Sequence, residues 1–411
     1  MLRENYKNLT YQSIAQIVPR AIMLLFTFYL IRVLGSTEYG KFDFALSFAY
    51  LVAVFFELGG NILLTKYVAR GFYSSFKLSM KFRLICIAVT MIILFAVLII
   101  FNLYENKRTL IFYATVGIAF SSLMNLYFSF YRGVRKMNYE AIVSIIQKVI
   151  FVILTLFLIY INKDGSFVLI GFGISMIASY FIIQGIYWKQ KHQYSEDEFP
   201  GEGIEIKSFI KDILALALIS VFSIIYFRAT QIILEHFRGF QEVGIYGASY
   251  KIIEAVINVP MILMIVMFPN FARLANTNLG EFKKLYYKLF RFLTLFGIIT
   301  SVIIWFAGDY IFLLFGKDYS SANIVLKYLL IAVLALFPNT LLTQAIIALD
   351  LNIQYAIALI IVLFLNFTIS FLIVPVMGAV GSAISVSICE WIISIWCFIF
   401  IGMKLKKAKI A

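Results

Sequence analysis

The chain has 411 residues, of which 63% are hydrophobic and only 14% charged, with a formal net charge of +14. A soluble domain carries roughly 45–50% apolar and about 25% charged residues, so this composition excludes an ordinary water-soluble fold. In a soluble protein the positive charge would suggest nucleic acid; here its placement makes it an orientation signal and removes nucleic acid as a partner.

Runs of about 20 apolar residues are long enough to cross the hydrocarbon as helices. In chain order they cover residues 9–31, 42–65, 83–104, 109–131, 141–161, 166–188, 209–234, 244–268, 289–307, 324–348, 352–374 and 379–402. They lack the alternating polarity of barrel strands. The expected fold is therefore an all-α integral membrane protein of about twelve transmembrane helices. The first run is too long for a cleaved signal peptide, lacks a small-residue cleavage site and is followed by many equivalents.

Cys86, Cys389 and Cys397 all fall inside expected spans, and an odd number of buried cysteines implies no disulfide framework. With the N-terminus placed in the cytosol, the cytosolic segments and helix edges, Arg83 among them, carry 23 basic residues against seven on the opposite side. Short loops rich in Lys and Arg stay in the cytosol, so both termini are expected inside.

Six spans precede the acidic stretch SEDEFPGEGIE (195–205) and six follow it. With its Pro and Gly and no apolar period, that stretch reads as a solvated connector. The expected organisation is a six-helix bundle over 1–188, a cytosolic linker over 189–206 and a second six-helix bundle over 207–411. GSTEYGKF (35–42) and GFQEVGIY (239–246) share Gly-x-x-Glu-x-Gly-x-aromatic at an offset of 204, each between the first and second spans of its half. Val68-Ala69-Arg70 and Phe271-Ala272-Arg273 echo each other after the second span. An even number of helices per copy gives both the same orientation, as in many transporters. Two pseudo-symmetric bundles around a central cavity are therefore expected.

The residues that a bilayer should reject are the candidates for function, since a basic side chain at mid-helix costs about 2.5–3.5 kcal/mol on insertion scales. Arg20 lies eleven residues from each end of its span, which at 1.5 Å per residue is roughly 16 Å from either surface. Arg228 lies near the outer end of the seventh span and Lys148 well inside the fifth. Lys251 lies inside the eighth, with Glu254 on the same face at i+3. The functional reading is that Arg20, Lys148, Arg228 and Lys251 line a water-filled cavity and attract an anion. The plainer alternatives are a structural ion pair for Arg20, a snorkelling anchor for Arg228, a polar contact for Lys148 and an intrahelical partner of Glu254 for Lys251. Lys327 sits near a span end and reads as interfacial. Asp43, Glu57, Glu254 and Glu390 are the carboxylates within spans. Desolvation favours the neutral form of a buried carboxylate, so each is a candidate to carry a coupling proton or sodium ion, or else is a salt-bridge partner. Glu57 heads ELGG, whose glycines weaken the helix. The sequence shows no metal-ligand cluster, nucleophile triad or Walker loop and calls for no cofactor.

Several ordered stretches carry a family resemblance: RVLGSTEYGKF, FELGGNILLTKYVAR, YRGVRKMNYEA, VGIYGASYKIIE, MFPNFARL, IFLLFGKDYSSA and LNFTISFLIVPVMGAVGSAISVSICE. The chain resembles the Wzx-type polysaccharide-repeat (O-antigen) flippases of the multidrug/oligosaccharidyl-lipid/polysaccharide exporter superfamily. The resemblance implies twelve helices in two bundles facing a cavity in the cytoplasmic membrane. It also implies no enzymatic step and a substrate of oligosaccharide on undecaprenyl pyrophosphate, moved between leaflets with ion coupling. A polysaccharide polymerase and a chain-length protein are its candidate partners. Lys251 falls within YGASYK, and Glu57 stands where such proteins often have Asp before Leu-Gly; the longer arm leaves its role open. Two other readings stay on the page: a multidrug or cation antiporter of the same superfamily, and a membrane enzyme such as a sugar polymerase or acyltransferase.

Overall fold

The structure is a computed structural model that describes residues 2–57, 60–194 and 206–407. The described residues form ten α-helices and short turns, with no strand among them. They are α1 (Leu2–Glu57), α2 (Gly60–Ala69), α3 (Ser75–Ile100), α4 (Arg108–Gly133), α5 (Asn138–Ile161), α6 (Gly165–Gln190), α7 (Ile206–Thr277), α8 (Leu279–Phe315), α9 (Ala322–Ala348) and α10 (Asn352–Lys407). Helices are the expected answer to this composition, because a lipid-facing segment must satisfy every backbone N–H and C=O internally.

Nine described helices are long and apolar enough to cross a membrane. Three of them, α1, α7 and α10, run 56, 72 and 56 residues, far beyond one crossing. Each breaks at a glycine in the left-handed region: Gly35 with φ 74°, Gly239 with φ 76° and Gly378 with φ 57°. The breaks fall where the sequence placed a loop between spans. Only glycine reaches that conformation without a steric penalty. The third expected span, 83–104, begins earlier than read, since α3 starts at Ser75. Arg83, counted with the cytosolic edges, therefore lies within the helix. The acidic stretch 195–205 and the Leu58-Gly59 pair of ELGG lie outside the described residues.

Exposure is inverted relative to a soluble protein. Leu25, Ile92, Leu313 and Val376 lie at 70% or more of their full accessibility, as expected where lipid is the solvent. In α4 and α9, 61% of the apolar window is buried, against 11% in α3 and 22% in α8. α4 and α9 are thus the inner helices of their respective groups, with α3 and α8 at the periphery. Small residues line the tight crossings: a Cβ on Gly117 of α4 would meet the Phe172 ring at 2.7 Å, and one on Gly171 of α6 would meet Thr155 Oγ1 at 2.6 Å.

By contacts the chain groups into two compact units. One holds residues 1–30 and 41–224; the other holds residues 31–40 and 225–411. The first repeat segment thus packs with the second unit, and its geometry explains why. A Cβ on Gly40 would lie 1.8 Å from the Phe240 carbonyl oxygen, and a Cβ on Gly244 would lie 1.8 Å from the Ser36 carbonyl oxygen. Ser36 and Phe240, like Gly40 and Gly244, are 204 residues apart. The two copies of the motif therefore touch backbone to backbone in a reciprocal contact that only glycine permits. Within the same unit, Glu242 of the second copy accepts a 2.8 Å hydrogen bond from the Ala379 amide, just beyond the Gly378 break.

Candidate functional site

In the second unit, four of the eight sequence candidates gather around Tyr250. Glu390, Glu254 and Arg228 lie within electrostatic range of its phenol, and Lys251 joins them through Glu254. Glu254 also holds Lys251 in an ion pair of 2.6 Å, one turn along α7. Both members of that pair are partly open, at 28% and 49% exposure. The intrahelical pairing considered for Lys251 is thus present, and it leaves the pair accessible.

Glu390 differs in kind, being buried on α10 at 4% exposure. Its carboxylate accepts from the Tyr226 hydroxyl at 2.9 Å and from the Asn339 side-chain amide at 2.9 Å. Asn339 is oriented in turn, because its Oδ1 accepts a hydrogen bond from Ser394. These donors are neutral, which is notable for a carboxylate in this setting: burying a charge is very expensive unless it is paired.

The polar seam continues along α7. Thr230, one turn after Tyr226, donates to Asn366 Oδ1 at 3.1 Å. Asn366 donates to Ser385 at 3.2 Å, and Ser370 donates to the same oxygen at 3.0 Å. Glu235 follows on the same helix and is buried at 2% exposure. Three packed helices thus carry a line of oxygens through an otherwise apolar interior. Sequence reading found Glu390 but missed this line, because it weighed charges and passed over Ser, Thr and Asn. The signal was there in the i, i+4 spacing of Asn366 and Ser370 and in the serines of GSAISVS.

In the first unit, Glu57 meets an arginine. Arg83 lies 3.8 Å from it, with the guanidinium only 2% exposed and the carboxylate 33% exposed. Arg83 also donates to Ser122 Oγ at 2.6 Å, to the Ser122 carbonyl at 3.1 Å and to Asn61 Oδ1 at 3.0 Å. Asn61 closes the ring by donating to Glu57 at 3.1 Å. Glu57 is thus paired with an arginine that sequence reading had assigned to a helix edge. Asp43 is buried, Lys148 is half-buried and Arg20 is exposed, next to buried Pro19 on α1. A separate pair, Arg132 with Glu140, ties the end of α4 to the start of α5. Among the described residues no group of three His, Cys, Asp or Glu could hold a metal ion.

Comparison with known proteins follows the same lines. A family model described as polysaccharide biosynthesis protein matches residues 6–275. The capsular polysaccharide biosynthesis protein CapF of Staphylococcus aureus is 23% identical over 401 residues, covering 96% of this chain and 98% of its own length. Among solved structures, an inward-facing multidrug resistance MATE family transporter of the MOP superfamily superposes with a TM-score of 0.72 at 13% identity, over 98% of this chain and 99% of that one. The lipid II flippase MurJ in an inward closed conformation superposes with a TM-score of 0.70 at 16% identity, over 96% of this chain and 87% of that one. At these identities the structures speak to the fold alone, an all-helical architecture with many long apolar helices.

Proposed function

Because the chain belongs to the polysaccharide biosynthesis protein family, we propose that it is a flippase for undecaprenyl-pyrophosphate-linked oligosaccharide repeat units. It would move them from the inner to the outer leaflet of the cytoplasmic membrane, with both termini in the cytosol and no covalent chemistry. The observation that carries this reading is the group around Tyr250, which sets two cations, Arg228 and Lys251, beside two carboxylates within one unit.

A bridging pyrophosphate carries about two negative charges and cannot enter hydrocarbon unpaired. Opposite charges about 4 Å apart gain roughly 4 kcal/mol at an effective dielectric of about 20, so two or three cationic contacts offset much of the lost hydration. Arg228 and Lys251 are assigned to the headgroup, and Arg20 and Lys148 are the cation candidates of the first half. Glu254 holds Lys251 until a doubly charged cargo displaces it. Glu390 is assigned to the coupling ion, since a carboxylate surrounded by neutral donors has room in its charge balance for one proton or sodium ion. Asp43 and Glu57 are the alternative coupling carboxylates, Glu57 the less suited because Arg83 already neutralises it. A coupling ion drives the cycle only if it binds the two conformations differently.

The test is outer-leaflet exposure of lipid-linked repeat units in proteoliposomes, with Arg20→Ala, Arg228→Ala and Glu390→Gln beside the parent. Both arginine variants should lose exposure of the cargo, and Glu390→Gln should lose the response to an imposed pH or sodium gradient. Normal exposure in both arginine variants ends the cationic assignment. A gradient response that survives Glu390→Gln moves the coupling elsewhere. Cation efflux that survives Arg20→Ala favours the antiporter reading.

A further inference from the structure

Lys327 lies inside a span and has no part in the proposed transport cycle. It lies in the second turn of α9, about 8 Å from the helix start. Its Nζ sits 5.2 Å from the centre of the Trp305 ring on α8. Among the described residues no carboxylate is within ion-pair distance of it. Asp309, one turn along α8 from Trp305, is engaged instead by the Asn323 amide.

Two apolar grooves flank α9 on opposite sides; Lys327 lines the first, and the second begins at Tyr328, the next residue. One, of about 400 Å³, lies against α8 between Lys327, Trp305, Val302 and Ile331. The other, of about 420 Å³, lies against α10 between Tyr328, Trp391, Ile395 and Ile331. Each is at the lower end of the size range of small-molecule pockets, the scale of one long alkyl chain. Ile331 is the wall they share, and it is 46% exposed. The backbone beneath is already satisfied, since Ser387 donates to the Tyr328 carbonyl at 2.9 Å and Trp391 to the Ile331 carbonyl at 3.0 Å. What the grooves offer an occupant is therefore apolar contact, with a single cation at the head. Tryptophan and tyrosine at that level are the residues that settle at the headgroup region.

We propose that this face binds one anionic diacyl phospholipid, its phosphate on Lys327 and its two acyl chains astride α9. Two grooves that share the Ile331 wall beside one cation match two chains joined at one phosphate. The single chain of a polyprenyl phosphate would fill only one of them. The site is distinct from the charges around Tyr250, and its occupancy is measured by binding, without any transport step.

The experiment is mass-resolved lipid binding to the purified full chain in mild detergent. The probes are dioleoyl phosphatidylglycerol, dioleoyl phosphatidylcholine and undecaprenyl phosphate. Lys327→Gln should weaken the first phosphatidylglycerol adduct about fivefold, the worth of one lysine near an anionic surface. Lys327→Arg should retain it, and Ile331→Trp, which fills the shared wall, should weaken it as well. Phosphatidylcholine should not distinguish the parent from Lys327→Gln. Equal phosphatidylglycerol binding by the parent and Lys327→Gln overturns the proposal. So does unchanged binding in Ile331→Trp, or displacement of phosphatidylglycerol by equimolar undecaprenyl phosphate.

Discussion

Replacing Gly40 or Gly244 with alanine should destabilise the protein, although alanine is the better helix former. Both lie in helical segments, where Gly→Ala by itself gains about 0.8–1.0 kcal/mol. At these positions the new Cβ would stand 1.8 Å from a carbonyl oxygen, Phe240 for the first and Ser36 for the second. Ordinary contact is near 3.4 Å, so the segments must separate by about 1.5 Å. The obstructing atom is backbone, which cannot rotate away. Overpacking of a well-filled interior typically costs about 1–3 kcal/mol, and a rigid obstacle puts these sites at the top of that range or above it. The internal controls are Gly185 and Gly402, where a Cβ meets nothing within 4 Å. Thermal unfolding in detergent, followed by tryptophan fluorescence, should show a lower midpoint for Gly40→Ala and Gly244→Ala. Gly185→Ala and Gly402→Ala should be unchanged or slightly higher. The double variant should be less destabilised than the sum, because one separation relieves both clashes. If the four single variants behave alike, the reciprocal contact does not exist.

Two more predictions concern buried charge. Arg83→Gln should cost about 3–5 kcal/mol, the figure for breaking a buried pair, and fall toward the lower end because Glu57 keeps a third of its exposure. Lys251→Gln should cost at most about 1 kcal/mol, since its pair with Glu254 is open to solvent; equal midpoints for the two would refute the difference in burial. Tyr226→Phe leaves a buried carboxyl oxygen without its donor and should cost about 1–3 kcal/mol. Glu390→Gln, which cannot ionise and keeps the shape, should leave the unfolding midpoint unchanged or raised. A Glu390→Gln midpoint as low as that of Tyr226→Phe would mean that the carboxylate is structural.

The fold was legible because the bilayer permits so little else. Long apolar runs must be helices, and the glycine pattern located the breaks at Gly35 and Gly239 without any structure. The Gly378 break needed no more than the PVMG stretch between two runs. The site was less legible. Glu390 and the Lys251–Glu254 pair stood out as charges in apolar sequence. The partners of Glu390 come from α7 and α9, 164 and 51 residues away, and no local pattern connects them. Arg83 was misread for a different reason. The third apolar run was read from residue 83, while α3 starts at Ser75, two turns earlier, which sinks Arg83 into the interior. Hydropathy locates the middle of a span well and its ends poorly, and at Arg83 a shifted end changed a solvated charge into a buried one.

The meeting of the two glycine motifs has the form of a contact between identical surfaces, in which residue i touches j and j touches i. A polypeptide of half this length, bearing one motif, could make that contact with a second copy of itself. Fusion of two such copies would preserve it, and mutation would then be free to blur almost everything else. Each glycine is held by the other copy's main chain, which no compensating side-chain exchange can pull back. A duplication of this kind would stay readable at 35–42 and 239–246 after its flanking sequence had drifted apart.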